Sequence, residues 1–414
     1  FDKYDVKKIG ILGAGLMGAG IAYVTAKAGI EVVLIDQDQE NAEKGKDYSV
    51  KLLDKALSRK KTTEEKKEKL LSLITPTTDY GLLKGADLIV EAVFENRDIK
   101  AEVTAKAEEQ ITENAVFGSN TSTLPISGLA QNSSRPDNFI GIHYFSPVEK
   151  MPLVEIIMGE KTSQETLAKT MDYVQKIKKT PIVVNDSRGF YTSRVFGTYT
   201  GEGVAMLAEG IKPALIENAG KMTGMPMAPL ALADAVALDL AWKVTTQTKK
   251  DFEAEGKDFP ITPMYSIMEE MVDKQGRFGK KNNKGFYEYP ENGKKYLWPE
   301  LSNLCKESDD QPDVEELKKR FLYIQAVETA KCFEENVLTD VRDADIGAIL
   351  GWGMAPWTGG PLSFIDMVGV KDFVAEADKL AQKYGERFTP CKLLRDMAAK
   401  NESFHKSGNS SQAA

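Results

Sequence analysis

Histidine is nearly absent from this chain: His143 and His405 are the two in 414 residues. Cysteine is almost as scarce, with Cys305, Cys332 and Cys391 far apart. That excludes a disulfide framework and a CxxC metal motif, and leaves a zinc site short of ligands, so no metal is expected. Imidazole chemistry, if the chain uses it, falls to one residue. A basic block is also missing. Lys plus Arg number 54 against 62 Asp plus Glu, a net charge of −8, which argues against nucleic acid as a partner. Two uncharged runs, Ile9 to Ala26 and Ile346 to Ile365, have the length of a membrane span. Each holds five glycines, and the second also holds Pro356 and Pro361, so tight turns and close packing explain them better and no membrane span is expected. The chain starts at Phe1 with no signal-like apolar core, and is expected to be a fragment of a longer polypeptide.

What is present is an ordinary globular balance, 42% apolar and 28% charged, long enough for two or three domains. From Lys7 to about Asn185, short apolar runs alternate with helical patterns. Strands are expected at Lys8–Leu12, Glu31–Ile35, Leu88–Val93, Ala115–Gly118, Phe139–Tyr144, Leu153–Met158 and Pro181–Val184. Helices fit Leu16–Ala28, a long charged stretch from Glu40 to Leu73, Ile99–Ile111 and Gln164–Ile177. This alternation predicts an α/β doubly wound domain of Rossmann type over residues 1–186, with a mostly parallel sheet.

After Asn185 the texture turns helical, and an internal repeat emerges. Arg194, Glu202, Glu209-Gly210-Ile211, Gly224-Met225 and Pro229 to Asp234 recur as Arg320, Glu328, Glu335-Asn336-Val337, Gly353-Met354 and Pro361 to Asp366. Repeated helical units pack on each other because neither buries its apolar face alone. The expected organisation is a helical module over 187–295, a linker over 296–314, a second related module over 315–400 and a tail over 401–414.

Gly13-Ala14-Gly15-Leu16-Met17-Gly18 is a GxGxxG match that follows a strand and opens a helix. Gly13 permits the sharp turn, Gly15 lets backbone approach a pyrophosphate, and Gly18 lets helix pack on strand. Eighteen residues beyond Gly18, at the end of the second strand, stands Asp36, placed to accept from ribose hydroxyls. Its charge repels a 2′-phosphate and no arginine follows it, so NAD is favoured over NADP.

His143 ends a strand, at the sheet edge where ligands bind in open α/β folds. Glu155 lies twelve residues on, inside Leu153-Val154-Glu155-Ile156-Ile157, a carboxylate in a strand otherwise built for burial. An isolated pair of this kind is more often a satisfied core histidine and a surface acid. Here no other imidazole is placed to move a proton, and removing hydride from an alcohol carbon requires a base. Glu155 would orient the ring and favour its charged form. Ser119-Asn120-Thr121-Ser122-Thr123 follows another strand end, as a loop cap or as a reach toward a substrate oxygen or nicotinamide. His405, in a polar tail, reads as inert.

With these motifs in place the chain resembles the L-3-hydroxyacyl-CoA dehydrogenases, including the dehydrogenase part of the multifunctional β-oxidation α-subunit type with a duplicated C-terminal module. The resemblance rests on the glycine motif, Val90-Glu91-Ala92-Val93-Phe94-Glu95, Ser119-Asn120-Thr121-Ser122, His143-Tyr144-Phe145-Ser146-Pro147, Leu153-Val154-Glu155 and Lys284-Gly285-Phe286-Tyr287. It implies NAD-dependent oxidation of an L-3-hydroxyacyl-CoA to the 3-ketoacyl-CoA in fatty-acid β-oxidation. It further implies His143 as base, Glu155 as its partner, Ser122 touching substrate and cofactor, and Glu95, Lys100 and Lys281 near NAD. The family has asparagine where this chain has Ser193, and proline where it has Arg188. Ser193 is therefore a carbonyl contact of shorter reach, or the mark of a catalytically impaired NAD- and CoA-binding subunit. A further alternative is the dehydrogenase fragment of a bifunctional enoyl-CoA hydratase/3-hydroxyacyl-CoA dehydrogenase. The basic stretch Lys55 to Lys61 is either a CoA-phosphate site or a solvated face. The partners implied are an acyl-CoA substrate and either a monomer closed by its own duplication or a β-oxidation complex with a thiolase. Scattered reduced cysteines suit a cytoplasmic location.

Overall fold

The computed structural model describes residues 1–259 and 261–405. The chain divides into two compact units, one of residues 1–193 with 335–351, the other of residues 194–334 with those from 352 onward. Of the expected tail over 401–414, residues 406–414 lie outside the described residues. No helix among the described residues is long and apolar enough to cross a membrane.

The first unit is built on an eight-stranded sheet. In chain order its elements are β1 (Lys8–Leu12), α1 (Leu16–Lys27), β2 (Glu31–Ile35), α2 (Gln39–Ser58), α3 (Glu64–Ser72), β3 (Ile74–Thr77), β4 (Leu88–Glu91), α4 (Arg97–Glu108), β5 (Val116–Ser119), α5 (Ile126–Ala130), β6 (Phe139–Tyr144), β7 (Leu153–Met158), α6 (Gln164–Lys176) and β8 (Thr180–Asn185). The strand order is β3-β2-β1-β4-β5-β6-β7-β8. All neighbours pair in parallel except β6 with β7, which form an antiparallel hairpin. Nearly every residue of β1, β2, β4, β5, β6 and β7 is buried, as continuous Val/Ile/Leu runs require when both faces of a sheet are covered. Order reverses between β1 and β4, which makes the carboxyl ends of those strands the crevice for a ligand.

Two local features depart from the expected elements. The short strand Ile74–Thr77 carries Pro76, which an edge strand tolerates because its outward N–H needs no partner. The charged stretch over 40–73 is two helices, broken where Lys60 turns left-handed at φ 55° and Thr63 caps the second with its side chain on Lys66 N.

The second unit is helical. After α7 (Thr192–Ala208), which begins in the first unit, come α8 (Pro213–Met222), α9 (Pro229–Val236), α10 (Leu238–Ala254) and α11 (Met264–Glu269). A small hairpin, β9 (Tyr287–Glu288) with β10 (Tyr296–Leu297), then precedes α12 (Leu301–Leu304). Next follow α13 (Val314–Glu334), α14 (Val341–Trp352), which belongs to the first unit up to Gly351, α15 (Pro361–Val368), α16 (Val370–Tyr384) and α17 (Lys392–Lys400). The repeat is visible in the ion pairs. Arg194 binds Glu328 at 2.6 Å, and its counterpart Arg320 binds Glu202, the counterpart of Glu328, at 2.7 Å. The segment between the copies is tied down, with Gln311 Nε2 donating to the Gly210 carbonyl at 3.0 Å. The residues from Asn401 to His405 are also held: the Asp366 carboxylate accepts from Phe404 N and His405 N, at 2.9 and 2.8 Å.

Candidate active site

The loop after β1 is shaped by what its glycines leave out. Gly13 has φ +97°, and a Cβ there would lie 2.5 Å from the Ala92 carbonyl at the end of β4. A Cβ on Gly18 would lie 1.8 Å from the Gly13 carbonyl. Gly15, between them, has open space where its Cβ would be. Beyond it the first turn of α1 has no side-chain cap and no acidic residue, so its N–H groups and positive dipole end are available to an anion. Asp36 is turned into this loop, accepting from Ala14 N at 2.7 Å and Gln37 N at 2.8 Å. A carboxylate has about four acceptor sites, which leaves capacity for ribose hydroxyls. The cradle thus fits a dinucleotide: Gly13 to Gly18 for the pyrophosphate and Asp36 for a ribose. Leu16 and Phe94 expose apolar side chains on the same edge.

β4 and β5 deliver a buried charge network to that edge. Lys100, 3% exposed on α4, places its Nζ 2.7 Å from Glu91 Oε1 and 3.3 Å from Glu95 Oε2. Glu91 also accepts from Ser119 Oγ and Val93 N, at 2.7 and 2.8 Å. Glu95 Oε1 accepts from Thr121 Oγ1, Ser122 N, Thr123 N and Thr123 Oγ1, at 2.6 to 3.2 Å. Burial pushes the Glu95 carboxyl up, but the Lys100 charge and the two threonine hydroxyls outweigh it and hold it below the ordinary carboxylate range. The result is a clamp on the backbone of Ser122, and the Ser122 hydroxyl itself bonds to no described residue.

The β6–β7 hairpin sets His143 directly opposite Glu155. His143 Nδ1 and Glu155 Oε2 are 2.8 Å apart. A carboxylate only accepts, so Nδ1 is the donor in this pair, and in the neutral ring the lone pair falls on Nε2. Glu155 is 0% exposed and fully satisfied. Its Oε1 accepts from Tyr191 N and Thr192 N, both at 3.0 Å, and its Oε2 from Thr192 Oγ1 at 2.6 Å. The carboxylate therefore rests on the first turn of α7, where backbone donors and helix dipole both favour negative charge. Phe145 and Phe190 flank the imidazole, with ring centroids 4.6 and 6.0 Å away. Asn120 Oδ1 accepts from Tyr144 N at 2.9 Å, joining the Ser122 loop to the strand end that carries His143.

Strands β1, β4, β5 and β6 are neighbours and parallel, so the cradle, Glu95, Ser122 and His143 line one edge of the sheet. At about 4.8 Å per strand, that edge runs about 14 Å from β1 to β6. Gly13, Ala14, Gly15, Leu16, Met17, Gly18, Asp36, Glu95, Lys100, Ser122, His143 and Glu155 all belong to the sheet unit. Ser193 follows Thr192 in the first turn of α7 and is half-buried. Lys281 belongs to the helical unit, where its Nζ lies 2.5 Å from Asp239 Oδ2. Sequence reasoning passed over Thr192 and Tyr191, and quoted Glu91 only within a motif. A threonine opening a helix looks like an ordinary cap, and Glu91 closing an apolar strand was the one available signal for a buried acid.

Comparison with known proteins agrees along the chain. Residues 8–187 match the family model described as 3-hydroxyacyl-CoA dehydrogenase, NAD binding domain. Residues 189–289 match 3-hydroxyacyl-CoA dehydrogenase, C-terminal domain. Among solved structures, (S)-3-hydroxybutyryl-CoA dehydrogenase from Ralstonia eutropha is 35% identical over 69% of this chain and 100% of its own, with a TM-score of 0.64. The dehydrogenase part of multifunctional enzyme 1 from C. elegans is 28% identical over 95% of this chain and 90% of its own, TM-score 0.66. The fold of 3-hydroxybutyryl-CoA dehydrogenase from Escherichia coli K12 spans 96% of this chain and 99% of its own, at 24% identity and a TM-score of 0.81.

Proposed function

The chain belongs to the 3-hydroxyacyl-CoA dehydrogenase family, NAD-dependent enzymes, and on that premise we propose that it oxidises L-3-hydroxyacyl-CoA to 3-ketoacyl-CoA in fatty-acid β-oxidation, with His143 as the general base. The observation that carries the reading is the buried His143–Glu155 pair, whose free Nε2 lies on the sheet edge that also bears the dinucleotide cradle.

The Gly13 to Gly18 loop and Asp36 would hold NAD, which when bound would supply the acceptor for the hydride that leaves substrate C3. The chain's own residues manage the proton. His143 Nε2 takes the hydroxyl proton as the C3–O bond becomes a carbonyl, and the imidazolium formed faces a carboxyl group already held by three further hydrogen bonds. No reorganisation is needed at that moment, because the donors on Glu155 are backbone and a buried hydroxyl. Ser122, its backbone clamped by Glu95, steadies the substrate oxygen with its hydroxyl. Ser193 offers a second, shorter-reaching donor at the start of α7. Phe145 and Phe190 keep water from the ring, which preserves the strength of its charge interaction. For the CoA phosphates the reading assigns Lys55, Arg59, Lys60 and Lys61 with Lys51, five exposed cations that make no ion pair among the described residues.

The test is NADH formation, followed at 340 nm, from 3-hydroxybutyryl-CoA and its longer homologues. Turnover of the L but not the D isomer is expected. Absence of turnover at every chain length contradicts the assignment and favours a binding-only subunit, the reading that Ser193 keeps in view.

A further inference from the structure

Residues 335–351 form the middle of the second repeat, yet they pack as part of the sheet unit. They attach along the free edge of the sheet. Val184 and Leu338 form an antiparallel bridge, Asn185 N donates to the Val337 carbonyl at 2.9 Å, and the Asn185 amide donates to the Asn336 carbonyl at 2.7 Å. Val183 N donates to Asp343 Oδ2 at 3.0 Å. β8 is thereby covered rather than left as an open strand edge.

From there α14 descends onto the surroundings of Glu155. Tyr191 Oη donates to the Ala344 carbonyl at 2.7 Å. A Cβ on Gly347 would lie 2.7 Å from Ile182 Cδ1 and 3.2 Å from Tyr191 Cε1, and one on Gly351 would lie 2.9 Å from Leu153 Cδ2 and 3.7 Å from Thr192 Cγ2. These two glycines are one helical turn apart, so one bare face of α14 meets four residues. Each of the four adjoins the catalytic carboxylate. Ile182 is the register partner of Glu155 on β8, Leu153 precedes it by two on β7, and Tyr191 and Thr192 give it three hydrogen bonds.

We propose that α14, supplied by the second copy of the helical module, is a strut that positions Glu155 for the reaction. Glu155 is wholly buried, so water cannot make up for a donor that drifts. The peptide over Tyr191 and Thr192 fixes the carboxylate, the carboxylate fixes the imidazole, and α14 fixes the peptide. The duplication thus serves the chemistry of the first domain as well as its own packing. Tyr191 is a positioning residue, acting through Glu155. The proposal rests on the reading of His143 and Glu155 as the working pair.

Five variants test it with 3-hydroxybutyryl-CoA as substrate: Tyr191→Phe, Gly347→Val, Gly347→Val with Ile182→Ala, Glu155→Gln as reference, and Glu155→Gln with Tyr191→Phe. Tyr191→Phe is expected to lower kcat about fivefold and Gly347→Val about twentyfold, with KM for NAD and substrate and the Kd for NADH within twofold of wild type. Ile182→Ala removes the atom that the new side chain meets, and should restore most of the Gly347→Val loss. Adding Tyr191→Phe to Glu155→Gln should cost nothing further, because both act through one group. Wild-type kcat in Glu155→Gln overturns the reading of the pair. Loss in Glu155→Gln with wild-type kcat in Tyr191→Phe overturns the strut, as does a multiplicative loss in the double variant. Should Gly347→Val not fold by circular dichroism, Tyr191→Phe decides alone.

Discussion

At Lys100 a cation lies 3% exposed between two carboxylates, one of which holds the Ser122 backbone. Its neighbours in sequence, Asp98 to Lys106, read as a charged surface helix, so nothing local marks this lysine as buried; a place near NAD came only from the family resemblance. Taking away one partner of a buried ion pair leaves the others uncompensated, which costs about 3–5 kcal/mol. Lys100→Met is therefore expected to lower stability by about that amount in urea unfolding, and to lower kcat as the Ser122 loop loosens. A loss under about 1 kcal/mol contradicts the network as described. His143 and Glu155 were legible for the opposite reason. One imidazole at a strand end and one acid inside an apolar strand stand out against their surroundings. Thr192 did not, because the pattern that starts a helix is the same whether its hydroxyl caps the helix or holds the carboxylate of another strand.

Elements were legible where burial is symmetric. Strands β1, β2, β6 and β7 fall where continuous apolar runs place them, residue for residue. β3 was not, since an edge strand with Pro76 lacks that run, and its existence depends on pairing with β2. The repeat recurs at the level of a single contact. Asp234, near the end of α9, accepts from Phe286 N and Tyr287 N at 2.8 and 2.9 Å, as Asp366 in α15 accepts from Phe404 N and His405 N. Each module therefore closes on a segment caught by one aspartate, which is what holds the backbone of His405. Burial pushes the Asp234 carboxyl from its ordinary 3.8 up to about 6, against the pull of those amides and the Tyr289 hydroxyl. A raised folded value means the proton is bound more tightly in the folded state. The stability it contributes is full below about 3.8 and is lost as pH rises through about 6. The stability gap between wild type and Asp234→Ala should then be wider at pH 5 than at pH 7.5 by about 1 kcal/mol. A gap equal at both, in urea unfolding, contradicts the shift.

For the whole molecule, the duplication explains a length that one sheet domain and one helical module would not fill. The reciprocal pairs Arg194–Glu328 and Arg320–Glu202 join equivalent positions of the two copies, and Arg320 and Glu202 are both buried. We propose that each copy occupies the surface through which the other would otherwise pair with a second chain. Light scattering should then give a solution mass near 45.7 kDa, and twice that mass contradicts the proposal. The repeat itself could be read from spacing. That its middle third packs with the sheet could not, because the contacts of α14 run through two glycines and backbone groups, which carry no sequence signature of their partner. The central claim remains that His143 is the base. It is tested most directly by His143→Gln, measured for turnover of 3-hydroxybutyryl-CoA and, by fluorescence, for NADH binding. The account predicts kcat reduced at least a thousandfold with the Kd for NADH unchanged. Turnover within tenfold of wild type contradicts it.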